Sequence, residues 1–454
     1  MARTRRPTPS SNASPPPPGF APWKVRSNPP KVVRIGDMKF HPTGTFEMFW
    51  YFVTERHAMF RRRFEGGVSP WTEDEILAKY SFTNVFRVLD RATQYSLLNV
   101  IQVGDQSIQE QCFRVLLFRF FSKIETWEFL EERFDLTWRN FDLEAYEKAL
   151  IEYQDAGNTL YTPAYLNTIP KKLIGGKENF SRHLRILELM MNMDLPGRLK
   201  RVEHMQDAHG IISLYPGMGE FMAMQVLLDL NMTTHFNFFE DEWVALGPGS
   251  SDCLKRMFGE GVRGHEVEAI RALHDMQADQ FIRRHTAPEN IPCLFDDRND
   301  RKFKLTMVDI EHALCECGKY SRHARPQPSD KNGGRRYSGR YRQVALTATI
   351  PSHWFDPAQV FDYNKPDPLD GRDVYEVSHI VAEKKGQKSR DRLYRIRWVG
   401  WGPEADTWER RSALVENAPD VLREWETLSS GIAKLKADYV ALGDRYRKSS
   451  RKRT

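Results

Sequence analysis

Residues 214–250 read LYPGMGEFMAMQVLLDLNMTTHFNFFEDEWVALGPGS, and the fold of the larger part of the chain turns on them. Pro216, Gly217 and Gly219 sit between two apolar stretches with helical spacing. A turn this tight needs residues free of Cβ crowding or with φ already fixed. Glu240, Asp241 and Glu242 follow about twenty residues on. The turn Gly247-Pro248-Gly249-Ser250 then offers backbone amides at a helix start, a position that suits an anion. Both turns also serve as plain joints between structural helices, the Gly247–Ser250 turn more readily than the Pro216–Gly219 turn, so the residues alone leave the two readings open.

Outward from this hairpin the helical pattern continues. Phe113, Leu116, Leu117, Phe120, Phe121 and Ile124 mark a helix apolar nearly all round, with Arg114, Arg119 and Lys123 as its charges, and it belongs at the centre of the core. Asp142 is placed to cap a helix that Gly157 ends. The Met-rich run HLRILELMMNMDL, residues 183–195, reads as core filler. Thr72 to Glu75 has the form of a capping box. Val85, Val88, Leu89 and Ala92 predict a further helix, on which Arg87 and Asp90 are spaced to pair as a solvated couple. Helical patterns also cover 265–285 and 306–320.

Composition bounds the class. The chain has 454 residues, 40% of them hydrophobic, which suits two or three domains. Its apolar runs are too short for a membrane span, and the Arg- and Pro-rich start is no signal peptide. Five cysteines without a disulfide pattern fit a reducing compartment. Cys315-x-Cys317 near His312 fits no common zinc spacing, so no metal is expected. Residues 1–31, 321–345 and 445–454 together carry a net charge of +18, leaving −12 for the rest of the +6 chain. Basic arms on acidic folded parts add salt-sensitive attraction to phosphate, and serve equally as nuclear-import or solubility segments. The expected layout is a disordered Pro/Ser-rich arm over 1–40, an all-α domain over 41–320, a flexible linker over 321–372, a small domain over 373–430 and a basic tail over 431–454.

The segment from Val374 to Leu428 reads as three strands, VYEVSHIVAEK, RLYRIRWVGW and DTWERRSAL, closed by the helix VENAPDVLREWE. It resembles a chromodomain, especially those on retrotransposon integrases. The resemblance implies an aromatic cage for methylated lysine at Tyr375, Trp398 and Trp401, acting by cation–π attraction, with Trp408 in the core. It also implies that the backbone before Tyr375 pairs with a histone tail as an added strand. The acidic residues usual before the first aromatic are reduced to Asp373 after Arg372, and the one near the third is either Glu404 or lost at Ala405.

The larger block has its own resemblances. L-x-P-G-x-G before an amphipathic run is similar to the helix-hairpin-helix of DNA glycosylases, which implies phosphate contact at Gly217 and Gly219 and a carboxylate at Asp241 facing an extruded base. Phe221 occupies the place of the glycosylase lysine nucleophile, which disfavours a Schiff base. The ordered set FWYFVTERHAMFRRRF, PWTEDEIL, FTNVFRVLDRATQY, LLFRFFSKIETWEFL, PGMGEFMAMQVLLDLN, DEWVALGPGS and LCECGKY resembles the helical domain of the 5-hydroxymethyluridine DNA kinases and the alpha-glutamyl/putrescinyl thymine pyrophosphorylases, over about residues 45–320. It implies a mainly α, glycosylase-like fold working on modified thymine in DNA. The family's polar signature falls on Glu55, Arg56, Asn84, Arg87, Asp90, Arg91, Lys123, Gln225, Asp241, Gly247, Gly249, Glu316 and Lys319. From these, Asp241, Lys123, Arg87 and Asp90 are the candidate catalytic residues, and Gly217, Gly219, Gly247, Gly249 and Ser250 the candidate DNA-phosphate contacts. Gly175-Gly176-Lys177 lacks the first glycine and the Ser/Thr of a P-loop, so any phosphate chemistry proceeds without one.

The expected protein is nuclear, binds DNA and a methylated histone tail of the H3 kind, and has no membrane partner. No cofactor is evident; phosphate or pyrophosphate is the open cosubstrate. Two alternatives stand beside base modification: a non-catalytic DNA and chromatin reader, and a chain derived from a mobile element.

Overall fold

The computed structural model describes residues 29–162, 168–175, 178–296, 301–326, 346–355, 375–386 and 392–451. Most of the basic arms, Gly176, Lys177, Arg372 and Asp373 lie outside the described residues. Strands β1 (Val33–Ile35) and β2 (Met38–Phe40) form a hairpin that turns at Gly36, φ 54°. Val33, Ile35 and Phe40 are buried, and the Phe40 ring meets Phe258 edge-on at 5.9 Å. The end of the arm read as disordered over 1–40 thus belongs to the core.

Helix α1 (Gly44–Phe64) starts on Thr43, whose hydroxyl accepts from the Thr45 amide. Its aromatics Phe46, Phe49, Trp50 and Phe52 are all buried. Helix α2 (Glu75–Lys79) is capped by Asp74, which accepts from the Ile76 and Leu77 amides, and not by Thr72, whose hydroxyl donates to Glu55 at 2.7 Å. The single helix expected around residues 85–92 is also corrected. A 3-10 turn over Arg87–Leu89 precedes α3 (Arg91–Ser96), with a π turn over Leu97–Ile101. Side chains explain the break: Asp90 accepts from the Asn84 amide at 2.8 Å and Asp309 from the Arg87 amide at 3.1 Å, so backbone donors that would join a helix are satisfied elsewhere.

Helix α4 (Ile108–Phe121) is buried on almost every face and packs against later helices of the domain, as its sequence requires. Ser122, at φ 49°, turns the chain into α5 (Ile124–Glu131). Asp142 caps α6 (Leu143–Asp155), and Gly157 follows at φ 89°. After α7 (Lys171–Ile174) comes α8 (Asn179–Asn192), whose Met190 and Met191 are core residues. Helices α9 (Leu195–Lys200), α10 (Met205–Ser213) and α11 (Glu220–Leu230) follow, the last two joined through Pro216–Gly219 as the expected hairpin. Helices α12 (Pro248–Phe258) and α13 (Glu266–Arg283), the short pair β3 (Leu294–Asp296) and β4 (Arg301–Phe303), and α14 (Met307–Ala324) complete the domain.

The span read as a linker is partly structured. Helix α14 runs to Ala324, and residues 346–354 lie on the helical core through Leu346, Ala348, Ile350 and Trp354. The Thr349 amide and carbonyl each bond the Gln94 side chain at 2.8 Å, so Gln94 holds this segment as a strand neighbour would.

Strands β5 (Val377–Lys385), β6 (Arg392–Trp398) and β7 (Thr407–Arg410) form an antiparallel sheet in that order, followed by α15 (Arg411–Asn417) and α16 (Pro419–Arg451). Ile380, Tyr394, Ile396, Leu414 and Leu422 make its core. The alternation along β6 is incomplete, because Arg397 is also buried on Asp406 at 2.5 Å. Trp408 is corrected: it is 40% exposed, with the Lys384 ammonium 3.8 Å above its ring. The tail read from 431 onwards continues α16, and Leu428 packs into the larger core. Among the described residues no helix is long and apolar enough to cross a membrane.

Candidate functional site

A cavity of about 340 Å³ opens between α1, α3 and α4. Arg56, Arg63, Arg87, Arg91 and Arg119 line it, with Asn84 and Asp90. Such a concentration of guanidinium groups in one concavity attracts and orients anions. Its floor is a buried charge network. Asp229 receives Arg87 at 2.6 Å on one oxygen and Arg119 at 2.5 Å on the other. Burial opposes ionisation of Asp229, but Arg119 and Arg87 outweigh it and hold the carboxyl below its usual range. Arg87 also donates to Gln225 at 3.3 Å, so α11 aims the guanidinium from two residues a turn apart.

The loop before α3 is fixed in the same manner. Arg56 grips the Phe82 carbonyl through two nitrogens, at 3.1 and 3.0 Å. Glu316 accepts from the Thr83 amide at 3.1 Å and from Lys319. The Asn84 side chain donates to the Leu89 carbonyl at 2.6 Å, while its own oxygen is buried without a hydrogen-bond partner. Asp90 meets His312 at 3.1 Å. Burial disfavours the charged imidazole, yet Asp90 outweighs burial and raises the His312 pKa.

Behind Arg87 lies a second cavity of about 50 Å³, bordered by Glu240, Asp309, Lys304 and Trp354. Burial, reinforced by Asp309, pushes Glu240 to about 8, and burial pushes Asp309 to about 6 despite amide donors from Arg87 and Thr306. Glu240, half-buried beside Arg87, is thereby biased toward its protonated form.

The structure thus brings together Arg56, Asn84, Arg87, Asp90 and Arg91 of the sequence-derived set, and sets Gln225, Glu316 and Lys319 behind them. It brings Arg87 and Asp90 to one cavity but not to each other: Arg87 pairs with Asp229 and Asp90 with His312, in place of the solvated couple expected. Lys123 does not line the cavity and donates to Thr159 at 2.8 Å. Asp241 accepts from the Met307 amide at 3.3 Å and meets His274 at 3.1 Å, at the start of α14. Gly217 lies at φ 84° in the hairpin, its Cα facing Ile169. At the start of α12 the Glu311 carboxylate accepts from the Gly247 amide at 2.9 Å and from Ser250 at 2.6 Å, occupying the anion position itself. A Cβ on Gly249 would come 2.5 Å from the Cys315 sulfur, so close helix packing accounts for that glycine. Glu55 engages Thr72 and Arg62.

Asp229, Glu240 and Asp309 were not singled out as site residues in the sequence, although Asp229 carried a usable signal: it is the sole charge in the run FMAMQVLLDL. Among the described residues no cluster of three metal-ligating side chains occurs.

In the smaller unit, Tyr375 faces Trp398 and Trp401 with ring centroids 6.2 and 6.0 Å apart, at 67° and 65°. Tyr375 is 53% exposed and the tryptophans are half-buried, which leaves an open three-walled aromatic corner.

Comparison with known proteins supports both units. The profile of the 5-hmdU DNA kinase helical domain matches residues 43–330, and that of the chromodomain (chromatin organisation modifier) matches 375–428. The 5-hmdU DNA kinase of Bacillus phage SP10 is 26% identical over 230 residues, 47% of this chain and 36% of that protein. A histone-lysine N-methyltransferase, H3 lysine-9 specific, of Schizosaccharomyces pombe is 40% identical over 55 residues, 12% of this chain and 11% of that protein. The chain therefore spans about a third of the phage protein's length and a ninth of the yeast protein's. No solved structure matches. The family match covers well over half of the 454 residues, and the chain belongs to the 5-hmdU DNA kinase helical-domain family, with a chromodomain on its C-terminal side.

Proposed function

We propose that the protein is a nuclear, chromatin-targeted factor whose helical domain takes a modified thymine nucleotide of DNA at the arginine-lined cavity, while the chromodomain holds a methylated lysine of a histone tail. The observation that carries the first half is the convergence of Arg56, Arg63, Arg87, Arg91 and Arg119 on one cavity of nucleotide-compatible volume. A base inside a duplex cannot reach such a recess, so the target nucleotide must leave the stack. Arg91, at the exposed edge of the cavity, then holds a flanking phosphate. The buried oxygen of Asn84 and the carboxylate of Asp90 are acceptors at the same wall, matched to the imide N–H and hydroxymethyl O–H that 5-hydroxymethyluracil presents.

The phage relative is named for DNA kinase activity on this base. A phosphoryl transfer here would break the terminal P–O bond of a nucleoside triphosphate, form an O–P bond at the hydroxymethyl oxygen and release the hydroxyl proton to a base such as Asp90. Asp241, Lys123 and the turns at 217–219 and 247–250 are then outside the reacting centre. The direct test incubates the full chain with duplexes carrying 5-hydroxymethyluracil, with and without ATP, and weighs the released nucleosides. A mass gain of one phosphoryl group that requires ATP supports the kinase reading. Unchanged nucleosides together with preferential binding support a non-catalytic reader.

A further inference from the structure

The chromodomain lies directly on the helical domain, and the point of contact is the loop that carries the cage. Gly400 stands between Trp398 and Trp401, at φ 75°. Its amide donates to the Asp207 carboxylate of α10 at 2.8 Å, and Asp207 is 1% exposed. Burial pushes that carboxyl above its usual range, opposed first by the Gly400 amide and Ser378 of β5 and then by His204 and Arg397, so the two leading groups that favour its charge come from the chromodomain. Three features lock the same seam. A Cβ on Gly400 would come 3.3 Å from the His204 ring, and one on Gly210 only 2.4 Å from the His379 ring of β5, so two glycines permit the close approach. Glu424 of α16 bridges Arg198 at 2.9 Å and Arg201 at 2.6 Å. His379 is 3% exposed, buried by a partner outside its own sheet.

We infer that the methyl-lysine cage is completed across the domain boundary: Asp207 of the helical domain is a positioning residue that fixes the Trp398–Trp401 loop in its binding geometry through the Gly400 amide. An aromatic cage attracts a quaternary ammonium only when its faces are already turned toward one centre, and ordering a loop upon binding costs affinity. A buried carboxylate accepting from the loop's own backbone removes that cost before the ligand arrives. Docking and lysine reading are then thermodynamically linked, so peptide binding strengthens the seam by the same factor that the seam strengthens binding.

The inference rests on the methyl-lysine reading of the cage, and the test separates the two. The probe is a histone H3 tail peptide trimethylated at the lysine for which the yeast relative is named, titrated by fluorescence anisotropy into the full chain, with the unmethylated peptide as reference. Wild type binds the trimethylated peptide selectively. Asp207→Ala removes the acceptor and weakens binding about tenfold, while Asp207→Asn keeps a side-chain carbonyl for the Gly400 amide and retains affinity near wild type. Glu424→Ala, a half-exposed position on the same seam and remote from the cage loop, weakens binding in the same direction and covers the case in which Asp207→Ala does not fold. Wild-type affinity in both Asp207→Ala and Glu424→Ala overturns the inference, as does equal loss in Asp207→Ala and Asp207→Asn. Failure of wild type to prefer the methylated peptide overturns the cage reading and the inference with it.

Discussion

Arg87 and Asp229, 142 residues apart in the chain, are joined at 2.6 Å in the interior of the helical domain. The pair ties the irregular loop at 81–90, which forms the cavity wall, to α11, the second helix of the hairpin. Arg119 on the other oxygen completes a triad in which one carboxylate orients two of the five cavity arginines.

Removing that carboxylate's charge leaves two guanidinium groups facing each other without compensation. Asp229→Asn therefore costs about 3–5 kcal/mol in urea unfolding at neutral pH. The wild-type contribution follows its depressed pKa: it is present above the unfolded carboxyl value and is lost as pH falls through the folded one. The difference between wild type and variant accordingly narrows in acid. A variant as stable as wild type at pH 7 would contradict the triad's role.

Glu240 acts with the opposite sign. Its pKa rises from 4.5 to about 8 in the fold, so the folded state holds a proton that the unfolded state releases. Stability from this group is full below pH 4.5 and declines as pH rises toward 8, by at most about 1.4 kcal/mol per unit. Glu240→Gln mimics the protonated form and flattens that slope. Identical pH profiles for the two proteins would show that Glu240 is ionised in the fold.

Arg91 lines the cavity from an exposed position, so its loss should spare the fold. Arg91→Ala is expected to weaken binding of a 5-hydroxymethyluracil duplex and to lower the salt slope by about one unit. An unchanged slope would place the DNA phosphates elsewhere.

Trp398→Ala removes one face of the aromatic corner that Tyr375 and Trp401 share. Each such face contributes about 0.5–2 kcal/mol to a quaternary ammonium. Selectivity for a trimethylated over an unmethylated histone peptide should fall by that amount in calorimetry, with binding of the helical domain to DNA unaffected.

The mainly α architecture, the hairpin, the central α4 and the three-stranded unit were all legible from periodicity and turn residues. The polar interior was not. Arg87 and Asp90 looked like neighbours on a solvated helix face because local spacing cannot reveal Asp229 and His312, which take their side chains, or Asp309, which takes the Arg87 amide from afar. Thr72 lost the cap of α2 to Asp74 because Glu55 took its hydroxyl. Trp408, expected in the core from the chromodomain resemblance, is instead an exposed ring that Lys384 shields. The seam between the two units rests on the Gly400 amide, two glycines and the Glu424 ion pairs, which leave no periodic trace in a sequence.

The measurement that bears most directly on the central claim is competition binding of the full chain to matched duplexes carrying thymine or 5-hydroxymethyluracil at one position, for wild type and Arg91→Ala. The arginine-lined cavity predicts tighter binding of the modified duplex by wild type, and weaker binding of both duplexes by the variant. Equal affinity of wild type for both duplexes would contradict it.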